Sequence, residues 1–419
     1  MKNYTISDIL RKTRTSQRVN ESRIAVHFGD RTITYEELDD RSDRLATGLL
    51  LEGFRKGDRV AVMMHNRPEW IEIFFALAKL GGVLVPVNHL LREREIEHII
   101  SDSGATWVIA EDRFWALFEG VRQNPVAQTY VVLDADHESA LAFENVVSSG
   151  DRNIRVDVDA NDLFLLQYTS GTTGRPKGAM HTHSTVLWNA FYQLPEFGVT
   201  VDDVYLITPA LGWIAGFHDF AIPTLWCGGQ LVLHPTGNFD AKVFAETVER
   251  HKVTTVLLVP TVLRRVLAYD DLEKHDLSSL RLILSGGEPV PVTAIHTLHE
   301  RLPTCHLQQA YGMSEFPTMM LQTLVENAVK HGLEPKPEGG KLVIKAEIVH
   351  GKLALTVQDS GLGFGQAATA GTGVGLANIR ERLQLLYGTK AGLTIGENPG
   401  GGTRVTLSVP YKPVGKAHG

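Results

Sequence analysis

LFLLQYTSGTTGRPKG, residues 163–178, sets an apolar run against a stretch dominated by Gly, Ser and Thr. The run reads as a buried strand that enters a turn, because apolar residues continue unbroken up to the turn formers. The stretch beyond offers closely spaced backbone N–H groups, the hydroxyls of Thr169, Ser170, Thr172 and Thr173, and the ammonium of Lys177. Gly171 and Gly174 let the backbone close on an anion without Cβ clashes. This is not the G-x-x-x-x-G-K-[ST] loop, since Pro176 falls where that loop needs its second glycine. A polar turn between two elements would also be rich in such residues. The length and fixed mixture of 168–178 favour a phosphate-binding loop.

Working outward, the pattern on both sides is one of alternating strands and helices. RIAVHFGDRTIT reads as a hairpin around Gly29-Asp30. YEELDDRSDRLATGLLLEGF reads as a helix ending near Gly53, and PEWIEIFFALAKLGG as a helix with Pro68 at its start and Gly81-Gly82 past its end. RVAVMMH, VLVPV, TWVIA, TYVVL, QLVLH, TTVLLVP and LRLILSGGE read as short buried strands. EKHDLSS, just before the last of these, reads as a polar helix-like stretch. Such alternation predicts an α/β fold, with parallel or mixed sheets covered on both faces. SGGEPV (285–290) and QAYGMSE (309–315) follow. In the second, Ser314 and Glu315 offer hard oxygen ligands suited to Mg²⁺, although Ser314 could equally cap a helix.

From Leu321 the pattern changes. LQTLVENAVKHGL is an amphipathic helix, KLVIKAEIVHGKLALTVQDSG a hairpin around His350-Gly351, VGLANIRERLQLLYG a helix, and AGLTIGEN and GGTRVTLSVP two more strands. DSGLGFG (359–365) puts a carboxylate at a strand end before glycine turns, and GTGVG (371–375) precedes a helix N-terminus, where N–H groups favour phosphate. Each piece alone could be a turn; the ordered set is harder to explain that way.

Bulk properties narrow the class. The chain has 419 residues, a formal net charge of −7 and no basic block, which argues against nucleic acid as the main partner. Two cysteines, Cys227 and Cys305, make neither a disulfide framework nor a four-thiolate metal site. With no apolar leader and no run of 18 apolar residues, a cytoplasmic chain without a membrane span is expected. His181 and His183 form an H-x-H pair, but no third zinc ligand is evident in the sequence.

The three N-terminal motifs, with YEELDDRSDRLATGL, GDRVAVMMHNRPEW and GGVLVPVN, resemble the adenylate-forming superfamily over about residues 8–316. The resemblance implies an AMP-forming carboxylate–CoA ligase using ATP, Mg²⁺ and CoA. Lys177, Ser314 and Glu315 would be catalytic, with Glu315 on the metal. Thr169, Ser170, Gly171, Thr172, Thr173 and Gly174 would hold phosphates. Gly286, Gly287, Glu288 and Pro289 would border adenine, with Tyr311 and Gly312 stacked beside it. The acyl pocket would draw on 210–220, where Trp213, Gly216 and Phe217 suit an apolar acid, though core packing explains each aromatic equally well. After Glu315 the resemblance breaks: the family's ribose-binding aspartate and lysine-bearing lid have no counterpart, so adenylation is expected to be impaired.

Residues 318–411 resemble the ATP-binding domain of sensor histidine kinases. That implies Mg²⁺ on Asn327, the adenine amino group on Asp359, a pocket shaped by Gly361 and Gly363, a phosphate lid at Gly371, Gly373 and Gly375, and Thr403 reaching adenine through water. A response regulator or kinase partner would follow. The family's Asn-Pro-His-Phe pattern does not occur, and His296, His299 and His306 sit in the adenylating half's pattern. The expected architecture is therefore a truncated adenylate-forming domain (8–316, mixed sheets flanked by helices). After it come a two-layer α/β sandwich of the histidine kinase ATPase type (317–412) and a disordered tail (413–419). The seam is expected within 316–320 with no Gly/Ser/Pro linker, which suggests an artificial, misassembled or recombined coding sequence, with a genuine fusion as the alternative. The alternatives to a ligase are a kinase ATP-binding module and an inactive composite of the two.

Overall fold

A computed structural model describes residues 4–15, 22–123, 125–152, 156–169, 176–288, 290–310, 328, 333, 340–350, 352–361, 363, 376, 380, 383, 388–399 and 401–410. The chain divides into two compact units, Met1–Pro317 and Thr318–Gly419.

In chain order the first unit begins with α1 (Asp8–Thr15), β1 (Ile24–Phe28), β2 (Arg31–Thr34), α2 (Tyr35–Leu51), β3 (Arg59–Met63), α3 (Pro68–Leu80) and β4 (Val83–Pro86). It continues through α4 (Glu93–Ser103), β5 (Trp107–Glu111), β6 (Thr129–Leu133), β7 (Leu141–Ala142), α5 (Phe143–Ser149), β8 (Leu163–Thr169), β9 (Lys177–Thr182) and α6 (His183–Phe197). Then come β10 (Val204–Ile207), α7 (Ile214–Phe217), α8 (Ala221–Cys227), β11 (Gln230–Leu233), α9 (Ala241–His251), β12 (Thr255–Leu257) and α10 (Pro260–Leu267). The unit closes with β13 (Leu282–Gly286), α11 (Val292–Arg301) and β14 (His306–Ala310).

The boundaries follow local chemistry. Thr34 caps α2 by accepting from the Glu37 amide while Glu37 returns a bond to the Thr34 amide, so two orphan donors are satisfied. Pro68 opens α3, and Gly81, at φ 65°, closes it in the left-handed conformation. The expected helix over EKHDLSS is not there. Only a 3₁₀ turn forms at Leu272–Lys274, because the Asp276 carboxylate takes both the amide and the hydroxyl of Ser278 and competes with helical pairing.

Two seven-stranded sheets result, ordered β14-β13-β12-β10-β11-β1-β2 and β7-β6-β5-β3-β4-β8-β9. Each is parallel except for one antiparallel edge strand, β2 beside β1 and β9 beside β8. Strand alternation sends successive side chains to opposite cores. Val60 and Val62 enter a central cluster with Tyr205, Leu231 and the α3 aromatics Trp70 and Phe74. Ala61 and Met63 face an outer cluster with Ile96, Ile99 and Ile100 of α4. On the other sheet, Leu206 and Val256 face α9, α10 and α11. The buried α3 carries Glu72, which pairs with Arg41 at 2.7 Å.

The second unit contains β15 (Leu342–Val349), β16 (Lys352–Asp359), β17 (Gly392–Glu397) and β18 (Thr403–Pro410), in an antiparallel sheet ordered β15-β16-β18-β17. The hairpin turn places His350 at φ 49°. Leu355, Val357, Leu407 and Val409 bury one face together with Ala328 and Leu383. Ile344, Ile348 and Val349 on β15 are exposed. Among the described residues, no helix is long and apolar enough to cross a membrane.

Candidate functional site

Strands β8 and β9 are the two arms of the Gly/Thr-rich stretch. They stay in antiparallel register to its mouth, with Tyr168 opposite Gly178 and Thr169 opposite Lys177. Cross-strand partners share a face, so Gln167 and Thr169 stand on the same side as Lys177, Ala179 and His181. Lys177 is exposed. Ser170, Gly171, Thr172, Thr173 and Gly174 lie outside the described residues, as do Pro289, Tyr311, Gly312, Ser314 and Glu315.

Gly286 ends β13 opposite Ala310 of β14. A Cβ there would stand 2.7 Å from the Ala310 carbonyl oxygen, so glycine is the residue that fits. Gly287 needs glycine for another reason, its φ of 87°. Glu288 is exposed.

The 210–220 segment divides in its roles. Phe217 is fully buried against Trp70 and Phe74, and Gly216 is pressed onto the Ala210 carbonyl. Both serve packing. Trp213 is 49% exposed and contributes nothing to that core. The segment is also less apolar than its sequence suggests. His218 is 2% exposed, and burial lowers its pKa to about 3, so it stays neutral. Burial raises the neighbouring Asp219 to about 6, opposed by hydrogen bonds from Asn189 and Gln193. Gln167 donates to the Gly212 carbonyl at 3.3 Å.

Sequence inspection overlooked Asn66. Its amide donates to the carbonyls of Pro209 and His234 and accepts from the Leu211 amide, at 2.9, 3.1 and 2.8 Å. Its own backbone N–H donates to Thr236 at 2.7 Å. One buried side chain thereby ties the β3–α3 turn to the start of the 210–220 segment. An asparagine between a strand and Pro68 was the only local signal.

Both histidines of the H-x-H pair are buried, and His183 serves structure. His183 is wholly buried, takes the Ile6 amide on Nδ1 at 3.3 Å, and is held near pKa 4 by burial. Among the described residues, no three His, Cys, Asp or Glu side chains group to hold a metal ion. Cys227 and Cys305 are unpaired thiols, and burial pushes Cys305 up to about 12. His296 and His299 lie on α11, and His306 begins β14.

In the second unit, Asp359 ends β16 at 2% exposure. Its Oδ1 accepts from the Gly361 amide at 2.9 Å and the Thr403 amide at 3.1 Å. Its carbonyl takes the Asn398 side-chain amide at 2.8 Å. A Cβ at Gly402 would collide with that carbonyl. Asp359, Gly361 and Thr403 are thus brought together, and Gly363 sits at φ 92°. Asn327, Gly371, Gly373 and Gly375 lie outside the described residues.

Comparison with known proteins finds matches across the first unit that run on into the second. A family model for AMP-binding enzymes matches residues 13–349. A second, for histidine kinase-, DNA gyrase B- and HSP90-like ATPases, matches 312–413 and overlaps the first. The chain is 36% identical to feruloyl-CoA synthase of Amycolatopsis sp over 298 residues, 71% of this chain and 57% of that protein. It is 33% identical to indoleacetate–CoA ligase of Aromatoleum aromaticum over 296 residues, 70% and 57% of the two chains. It therefore spans little more than half the length of these relatives. The fold also resembles the anthranilate CoA ligase AuaEII solved with anthranoyl-AMP, with a TM-score of 0.73, 24% identity, and coverage of 96% of this chain and 77% of that one. By its match over residues 13–349, the chain belongs to the family of AMP-binding enzymes.

Proposed function

We propose that the first unit, residues 8–316, is the nucleotide- and acid-binding part of an AMP-forming carboxylate–CoA ligase. The observation that carries this is the β8–β9 register, which brings Thr169 and Lys177 face to face where the Gly/Thr-rich stretch begins and ends. Lys177 would neutralise charge on the polyphosphate, and the hydroxyls and amides of 169–174 would bind its oxygens. Gly286, Gly287, Glu288 and Pro289 would border adenine, and Tyr311 and Gly312 would lie along its ring. Ser314 and Glu315 are oxygen donors of the kind Mg²⁺ takes, and the ion would supply charge neutralisation on the phosphates.

In the reaction, a carboxylate oxygen bonds to the α-phosphorus of ATP as the bond to the β-phosphate bridge breaks. Pyrophosphate leaves. A CoA thiolate then adds to the acyl carbonyl and AMP departs. The chain's contribution is alignment and charge stabilisation. The relatives are named for ferulate, indoleacetate and coumarate, so a small aromatic acid is the substrate class proposed.

The test is ATP–pyrophosphate exchange by the full chain with a panel of such acids. Exchange above background that Lys177→Ala removes supports the function. Absence of exchange with every acid and no ATP-dependent change in the 163–182 segment rejects it.

A second function is favoured by Asp359. We infer that residues 317–412 form a separate ATP-binding module in which the Asp359 carboxylate takes the adenine amino group. Gly361, Gly363 and Thr403 would line that pocket, Asn327 would hold Mg²⁺, and Gly371, Gly373 and Gly375 would cover the phosphates. The convergence of two backbone amides on Oδ1 supports this, because it fixes the carboxylate in one orientation.

A further inference from the structure

Helix α4 carries two polar side chains one turn apart, His98 and Asp102, which share a face at that spacing. Each reaches a different arm of the 168–178 stretch. Tyr168, on the β8 arm, donates its hydroxyl to Asp102 Oδ2 at 2.6 Å. On the β9 side, His98 Nε2 lies 3.2 Å from the Pro176 carbonyl oxygen. Proline has no N–H and a carbonyl only accepts, so the proton of that bond is on His98 Nε2. The Tyr168 ring also lies against Gly178 on the opposite arm, where a Cβ would stand 3.1 Å from two ring carbons.

We propose that His98 and Asp102 are positioning residues that mount both arms on α4 and thereby set the place of Lys177 for a bound polyphosphate. The proposal rests on the phosphate-binding function assigned to 168–178.

The mount is rigid. Ile96, Ile99 and Ile100 sink α4 into the outer core of its sheet. Its C-terminus is fixed by Gly104 at φ 66° and by the Arg59 guanidinium, which donates to the Ser103 carbonyl. The β4–β8 pairing is registered at Leu84–Leu165, and the β8–β9 pair continues beyond it to Thr169–Lys177. Attachment of the two arms to one helix at two points restrains this continuation, and with it the separation and direction of Thr169 and Lys177. Burial raises the Tyr168 pKa and the Asp102 bond raises it further, so the phenol keeps the proton it donates.

The experiment is hydrogen exchange read by mass spectrometry on the full chain during a Mg-ATP titration. Peptides spanning 163–182 report this site, and peptides from 352–410 report the second unit separately. In the wild type, ATP protects the 163–182 peptides. His98→Ala and Tyr168→Phe shift half-protection to about ten-fold higher ATP, the size of one lost hydrogen bond. His98→Gln, which restores a donor, returns the curve to near that of the wild type, and all melting midpoints stay close to the wild-type value. Superimposable titrations for wild type, His98→Ala and Tyr168→Phe overturn the mount while leaving the phosphate assignment standing. A shift accompanied by an equal loss of thermal stability, with no rescue by glutamine, also overturns it. No protection in the wild type removes the phosphate assignment itself, and the mount with it.

Discussion

The β8–β9 mouth in the first unit and the Asp359 corner in the second are both glycine-bearing, yet they are built in opposite ways. At the mouth, the charged group Lys177 is exposed, and order comes from strand register and from side chains reaching in from α4. At the corner, the charged group is buried, and order comes from backbone amides converging on its carboxylate. An exposed cation can follow a flexible anion such as pyrophosphate. A carboxylate fixed by two amides suits a rigid planar partner with a defined donor. The contrast teaches that the same residue, glycine, serves strand closeness at 286 and a special dihedral combined with lack of space at 402.

The sharpest way to break this contrast is Gly402→Val. The position combines φ 92° with a collision on the Asp359 carbonyl, so the substitution is expected to cost roughly 4 kcal/mol or more and unfold the second unit. Thermal unfolding followed by peptide-resolved hydrogen exchange should show 352–410 exposed while 59–133 stays protected. Joint loss of both would show that the units are not independently stable.

Lys177→Ala addresses the other side of the contrast. Loss of a charge-neutralising contact is expected to lower pyrophosphate exchange about 100-fold or more, with the melting midpoint unchanged because the ammonium is exposed. An active alanine variant would move the phosphate contact elsewhere.

Acid should separate the units next. His183 has a folded pKa of about 4 and His218 of about 3, both below the ordinary value of 6.5 because burial disfavours the imidazolium. The unfolded chain binds these protons first. Stability from the two neutral imidazoles is therefore complete above pH 6.5 and declines as pH falls toward 4, by a few kcal/mol on the order of linkage estimates. Asp219, whose raised pKa makes the folded chain take up a proton over the same range, opposes this slope, so the test is the difference from His183→Gln: equal melting-midpoint slopes for the two between pH 7 and 4.5 would contradict the His183 share. His183→Gln should flatten the slope. The smallest effect expected is from Thr34→Ala, which removes the α2 cap. A loss of about 1 kcal/mol in the first unit alone, by urea unfolding, sharpens the assignment of independent stability.

Elements whose ends are set by neighbours in sequence were legible before the structure. Pro68, Gly81 and the short apolar strand runs carried their own signals, whereas the Thr34 cap emerged only with the structure. The Asp276–Ser278 turn was misjudged as helix, since a short side-chain bond outweighs propensity there. The arms at 168 and 177 were legible as a loop, and Asp359 as a strand-end carboxylate. The roles of Asn66, His98 and Asp102 were not, because each is defined by partners more than 65 residues away, Tyr168 being the nearest at 66. The burial of His218 was hidden for a similar reason: its surroundings come from α3.

One pairing in the first sheet bears on how the chain is made. Val26 lies opposite Leu231, with β1 the parallel neighbour of β11. On a ribosome adding about 5–20 residues per second, β1 emerges on the order of 10–40 seconds before its partner exists. Through that interval it has only the β2 hairpin, which leaves its other edge bare. Production at lower temperature lengthens the wait, and abundant chaperone shields it, so the yield of native chain should track chaperone supply more closely than growth rate.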